Sequence, residues 1–162
     1  MSLKEGSMGG YCIVDRLVLD TGVLVEYIVL RSKFRFKVSK LFNMASMNKI
    51  KLYISPITLS EILYVVSKIY EAAGVPSPNI EALDYVEWIR RKTEIVKLSD
   101  DIIFRTGELK KTLRIALSDC YVIASAEAVN AAPLFKAVEK EMMPVIDELR
   151  RLGVKFLEEI EV

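Results

Sequence analysis

Short apolar runs of strand length alternate with longer helical stretches along this chain, and that alternation restricts the fold more than any other feature. Residues 13–19, 52–55, 94–98, 132–135 and 154–157 are rich in apolar or β-branched side chains and bounded by polar or turn residues. Between and beside them lie helical patterns at 23–31, 34–47, 58–73, 80–91, 100–112, 118–129 and 138–152. Parallel strands need a crossover long enough to hold a helix, so this order predicts an α/β domain with a parallel sheet. Gly74 with Pro76 stops the third helix, Asn79 is placed to cap the fourth, and Gly153 ends the last. Ile80, Leu83, Val86 and Ile89 recur every third residue and are expected along one side of the fourth helix. No repeat or linker divides the chain. Residues 1–10 read as a flexible leader or cloning remnant, and 11–162 as one domain.

Composition removes several chemistries. The 162 residues include no His, which excludes His-based acid–base catalysis, Ser-His-Asp triads and His-ligated zinc. Cys12 and Cys120 lie far apart with no CxxC, and read as reduced, buried thiols of a cytoplasmic protein, a disulfide being the lesser alternative. No apolar core precedes Tyr11, and the run 23–30 is interrupted by Glu26 and too short for a bilayer, so neither secretion nor a membrane is expected. Gln is absent while Lys, Arg and Glu abound, a bias found in heat-adapted proteins. Lys plus Arg number 23 against 22 Asp plus Glu, so a nucleic-acid partner would need a local basic patch.

The acids carry the functional signal. Leu17-Val18-Leu19-Asp20-Thr21-Gly22 is an apolar strand ending in a carboxylate at an immediate turn. In open α/β sheets ligands bind beyond the carboxyl ends of the strands, so Asp20 is placed to hold a cation there. It can equally cap the helix that follows. Glu61 lies just past the 52–55 strand and points to the same crevice, yet Thr58-Leu59-Ser60-Glu61 also matches a capping box. Asp119 opens the apolar helix 118–129, where the helix dipole alone would favour an acid. Glu139 and Glu141 follow the fourth strand, in a Glu-Lys-Glu that also suits a solvated helix face. Asp100-Asp101 reads only as a helix start. Arg31, Lys33, Arg35, Lys37 and Lys40 form the densest basic run near Asp20, with Lys110, Lys111 and Arg114 as a second group. Both also suit ordinary surface or helix-end roles.

Taken together, these pieces resemble the PIN-domain family, especially the archaeal toxin branch of VapC-type ribonucleases. The carriers are Leu19-Asp20-Thr21-Gly22-Val23-Leu24, Ile54-Ser55-Pro56-Ile57-Thr58-Leu59-Ser60-Glu61-Ile62, Ile95-Val96-Lys97-Leu98-Ser99-Asp100, Thr106-Gly107-Glu108-Leu109 and Leu117-Ser118-Asp119-Cys120-Tyr121-Val122-Ile123-Ala124-Ser125-Ala126. The resemblance implies a three-layer α/β/α sandwich around a central parallel sheet of about five strands. It also implies an acidic pocket binding Mg²⁺ or Mn²⁺. The family's acids fall on Asp20, Glu61 and Asp119, with Thr21 supporting the ligand shell. Its fourth acid belongs to a Thr-x-Asp-x-Asp-Phe segment, which this chain lacks. Glu139 is the first substitute and Glu141 the second. The implied activity is metal-dependent endoribonucleolytic cleavage of RNA, as the toxin of a type II pair, with a homodimer and a VapB-like antitoxin as partners. Two alternatives stand beside it: a non-catalytic interaction module on the same fold, and a PIN nuclease of RNA processing or DNA-flap cleavage.

Overall fold

The computed structural model describes residues 15–162. Five strands form one parallel sheet: β1 (Arg16–Leu19), β2 (Lys51–Ile54), β3 (Glu94–Ile95), β4 (Ala132–Phe135) and β5 (Lys155–Phe156). They lie in the order β3-β2-β1-β4-β5. The helices are α1 (Thr21–Ile28), α2 (Arg35–Ser46), α3 (Pro56–Ala72), α4 (Pro78–Lys92), α5 (Asp100–Leu113), α6 (Leu117–Ala128) and α7 (Ile146–Arg151). The expected α/β/α architecture with a five-stranded parallel sheet is the one observed.

Successive side chains on a strand point to opposite faces, and β1 uses both. Leu17 and Leu19 join Ile54, Leu134 and the buried faces of α1, α2, α3 and α4 in one core. Val18 joins Tyr53, Phe135 and the inner faces of α5, α6 and α7 in the other. A strand buried on both sides must be apolar throughout, which is why Leu17-Val18-Leu19 reads as a continuous run rather than an alternation. With β1 central, the chain winds first toward β2 and β3 and later crosses to β4 and β5. The winding therefore reverses between β1 and β4, where a crevice opens at the carboxyl ends of the strands.

Several expectations are corrected. The first strand begins at Arg16, with residues 13 and 14 outside the described region, as is the expected leader at 1–10. The third strand is shorter than 94–98, because only Glu94 and Ile95 pair with β2 before Val96 turns inward into the core. The helix expected at 138–152 is replaced by a loop, a 3₁₀ turn at Met143–Val145 and then α7. Pro144 supplies the reason: it has no amide hydrogen to donate and disfavours helical geometry at the residue before it. On α4 only Val86 and Ile89 of the expected face are buried, alongside Ala82 and Tyr85, while Ile80 and Leu83 face outward. A three-residue step falls about 60° short of a helical turn, so three such steps wind off the buried face. Ser77, not Asn79, precedes α4, with Pro78 at the first helical position. On α6, Ala124, Ser125 and Ala126 are buried, while Ala128 is exposed.

Candidate active site

Asp20 ends β1 and begins α1. Its backbone amide donates to the Leu134 carbonyl of β4 at 3.0 Å, and its Oδ2 accepts from the Gly22 amide at 2.9 Å. It therefore caps α1 while standing at the β1/β4 crevice. The two roles do not compete, because one carboxylate oxygen serves the cap. Gly22 leaves room for a close approach: a Cβ there would lie 3.1 Å from Asp20 Oδ2 and 3.4 Å from the Lys136 Cβ.

Thr21 and Glu61 join α1 to α3. The buried Thr21 hydroxyl donates to Glu61 Oε2 at 2.6 Å. This corrects the capping-box alternative. Ser55 caps α3 by accepting from the Ile57 amide at 3.3 Å, and Pro56 takes the first helical position. Glu61 thus lies in the second turn, beyond reach of the cap, and its carboxylate turns toward Thr21.

Asp119 occupies the first turn of α6 and is only 8% exposed. Burial, with the nearby charges of Asp20, Glu139, Glu141 and Glu61 adding to it, pushes its pKa up to about 8. A favourable helix dipole is thus outweighed, which a purely structural acid would not require. Burial likewise raises Asp20 to about 6, against the opposing pull of the Gly22 and Thr21 amides and with the help of Glu61 and Glu139. Acids from β1, α3, α6 and the loop after β4 therefore share one electrostatic environment.

Glu139 and Glu141 lie in that loop rather than on the expected helix face. Glu139 adds to the repulsion felt by both Asp20 and Asp119, and its carbonyl accepts from the Met142 amide at 2.9 Å. Glu141 adds to the repulsion felt by Asp119, and its Oε1 accepts from the Ala116 amide at 3.0 Å, fastening the loop to the start of α6. Together with Lys140 the two glutamates line an open depression. The donor set consists of oxygens alone, which suits a hard divalent cation, and the crowding of uncompensated carboxylates suits its charge. Among the described residues, no three of these groups approach closely enough to enclose an ion as they stand.

The basic run divides. Arg35 Nε donates to the Tyr27 carbonyl at 3.0 Å, Lys37 to the carbonyls of Leu157 and Ile160, and Lys40 to that of Val162. Those three fasten the fold, whereas Arg31 and Lys33 stay exposed. Lys110 closes the end of α5 on the Ile115 carbonyl, as its helix-end reading expects. Cys120 is a buried free thiol whose pKa burial pushes up to about 11, and Cys12 lies outside the described residues. No helix among the described residues is long and apolar enough to cross a membrane. Nothing in the sequence singles out Lys136. Its Nζ sits 2.6 Å from the Oε1 of Glu26, which is buried.

The pattern of the PIN domain family matches residues 17–139. The chain belongs to the PIN domain family. Solved structures agree with this PIN fold. VapBC2 from Rickettsia felis, bound to a DNA fragment from its promoter, is similar with a TM-score of 0.63 and 20% identity, over 87% of this chain and 98% of that one. VapBC-1 from nontypeable Haemophilus influenzae is similar with a TM-score of 0.60 and 18% identity, over 89% and 99%. A toxin–antitoxin complex from Klebsiella pneumoniae gives 0.58 and 17%, over 89% and 99%. At these identities the likeness is one of PIN fold. No curated protein matches the chain.

Proposed function

We propose that this PIN-domain protein is a divalent-metal-dependent endoribonuclease and the toxin of a type II toxin–antitoxin pair. The observation that carries the reading is that Asp20 and Asp119 are both raised in pKa by burial and by the charges of Glu61 and Glu139, in a crevice at the winding reversal of the sheet. Asp20, Glu61, Asp119 and Glu139 are the residues that would hold Mg²⁺ or Mn²⁺. A bound ion would supply Lewis-acid activation of the scissile phosphate and of water. Thr21 would keep the Glu61 carboxylate turned inward, and Glu141 would hold the loop so that Glu139 stays beside both aspartates. Membership of the family supports the nuclease, and the VapBC names of the similar structures support a VapB-like antitoxin partner. The homodimer is proposed with it.

The test is cleavage of a mixed, partly structured RNA pool with Mn²⁺, Mg²⁺ or EDTA. The reading expects metal-dependent cuts that Asp119→Asn removes. Intact RNA with every metal, from protein that is folded, would count against it. The lack of an Asp between Lys136 and Met142 favours the second reading, a PIN-fold interaction module, whose signature is RNA or protein binding with no cleavage.

A further inference from the structure

We infer that Lys136 is a substrate-binding residue that holds a backbone phosphate of single-stranded RNA beside the acidic crevice, an assignment that rests on the nuclease reading above. Lys136 leaves the carboxyl end of β4, and its Cβ lies against Gly22, the residue whose amide donates to Asp20. From there its side chain runs along α1 to Glu26. Gly22 and Glu26 are a step of four residues apart on α1, a rise of about 6 Å, so the ammonium stands about one helical turn beyond the Asp20 cap. That is the reach of a neighbouring phosphate on the same strand.

Three features make this a built position. Glu26, only 6% exposed, holds Lys136 Nζ with one oxygen and accepts from the Ser32 hydroxyl with the other. A buried carboxylate is costly without such partners, so the pair is fixed in place. The lysine side chain is 48% exposed, and an ammonium has three donors, so Glu26 leaves others for a ligand in the solvent. Finally, the Glu26–Ser32 contact draws the turn carrying exposed Arg31 and Lys33 to the same end of α1. An RNA strand leaving the acids thus meets cations in succession, which a site of several carboxylates needs if it is to accept a polyanion.

The experiment measures binding of a labelled single-stranded oligoribonucleotide as a function of salt, in the uncleaving Asp119→Asn background, with and without Lys136→Met. Melting temperatures verify folding, and Glu26→Gln with Lys136→Met provides a second form in which no buried charge is left unpaired. The inference expects weaker binding whatever the RNA sequence, a slope of log affinity against log salt shallower by about 0.7, the share of one phosphate contact on a single strand, and recovery in Lys136→Arg. The double variant should bind as weakly as Lys136→Met. Unchanged affinity and slope in either folded variant would overturn the assignment while leaving the nuclease reading intact. No RNA binding or cleavage by the wild type would remove both.

Discussion

Asp119, buried among other acids, couples the stability of the fold to pH. With its folded pKa raised to about 8 from an ordinary 3.8, and that of Asp20 raised to about 6, the folded state binds protons that the unfolded state has released. The resulting stability is fully present below the unfolded value and is lost as pH rises through the folded one. Protein kept free of divalent ions is therefore expected to melt at least about 3 °C lower at pH 9 than at pH 5, a shift of the size that about 1 kcal/mol produces in a domain of this length. Asp119→Asn should flatten that slope, and scanning calorimetry across pH would show it. Thr21→Val offers a second check. It removes the 2.6 Å hydrogen bond to Glu61 at nearly constant volume, so stability should fall by about 1 kcal/mol. Cleavage should fall further, by about tenfold, because a carboxylate freed from its donor no longer holds one orientation. Equal kcat in the two proteins would refute the positioning role.

At the scale of elements, what was legible depended on how far the signal reached. The strand at Leu17-Val18-Leu19 declares itself through its apolar run, and the helix starting at Asp100 through the paired acids of its first turn. The loop at 136–142 did not, since the Glu-Lys-Glu charges imitate a helix face and only Pro144 spoke against it. Glu61 is marked by its place after a strand, yet the α3 cap lies at Ser55, three residues before the Thr58 of the capping-box pattern. Lys136 escaped because nothing in its neighbourhood marks a partner 110 positions away; the Glu26 contact exists only once β4 lies beside α1. Two variants test the elements that carry the acids. Ser55→Ala should cost about 1 kcal/mol by removing the α3 cap, read as a lower denaturation midpoint. Gly22→Ala should leave stability within about 1 kcal/mol, since alanine's better helix propensity offsets crowding. It should nevertheless impair cleavage, because a Cβ 3.1 Å from Asp20 Oδ2 forces that carboxylate to shift. Unimpaired cleavage by Gly22→Ala would mean that the Asp20 position is not critical.

For the molecule as a whole, the order β3-β2-β1-β4-β5 explains why acids distant in sequence lie along one edge of the sheet. Asp20 follows the central strand, Glu61 follows its neighbour on one side, and Glu139 follows its neighbour on the other, while α6 brings Asp119 across the sheet. The sequence carried this arrangement through its alternation of strands and helices, because parallel right-handed crossovers place all strand ends on one edge. It could not carry the distances, which depend on how the α3 cap, the Thr21 hydroxyl and the Glu141–Ala116 contact set each side chain. Asp20, Glu61, Asp119 and Glu139 are proposed to serve one cation-binding centre. Calorimetric titration with Mn²⁺ tests it most directly, in the wild type and in Asp20→Asn, Asp119→Asn, Glu139→Gln and Glu141→Gln. The account predicts binding by the wild type, a loss of at least about tenfold in affinity in the first three, equivalent to about 1.4 kcal/mol each, and near-native affinity in Glu141→Gln. Wild-type affinity in Asp20→Asn and Asp119→Asn, or no Mn²⁺ binding by any of the folded proteins, would contradict it.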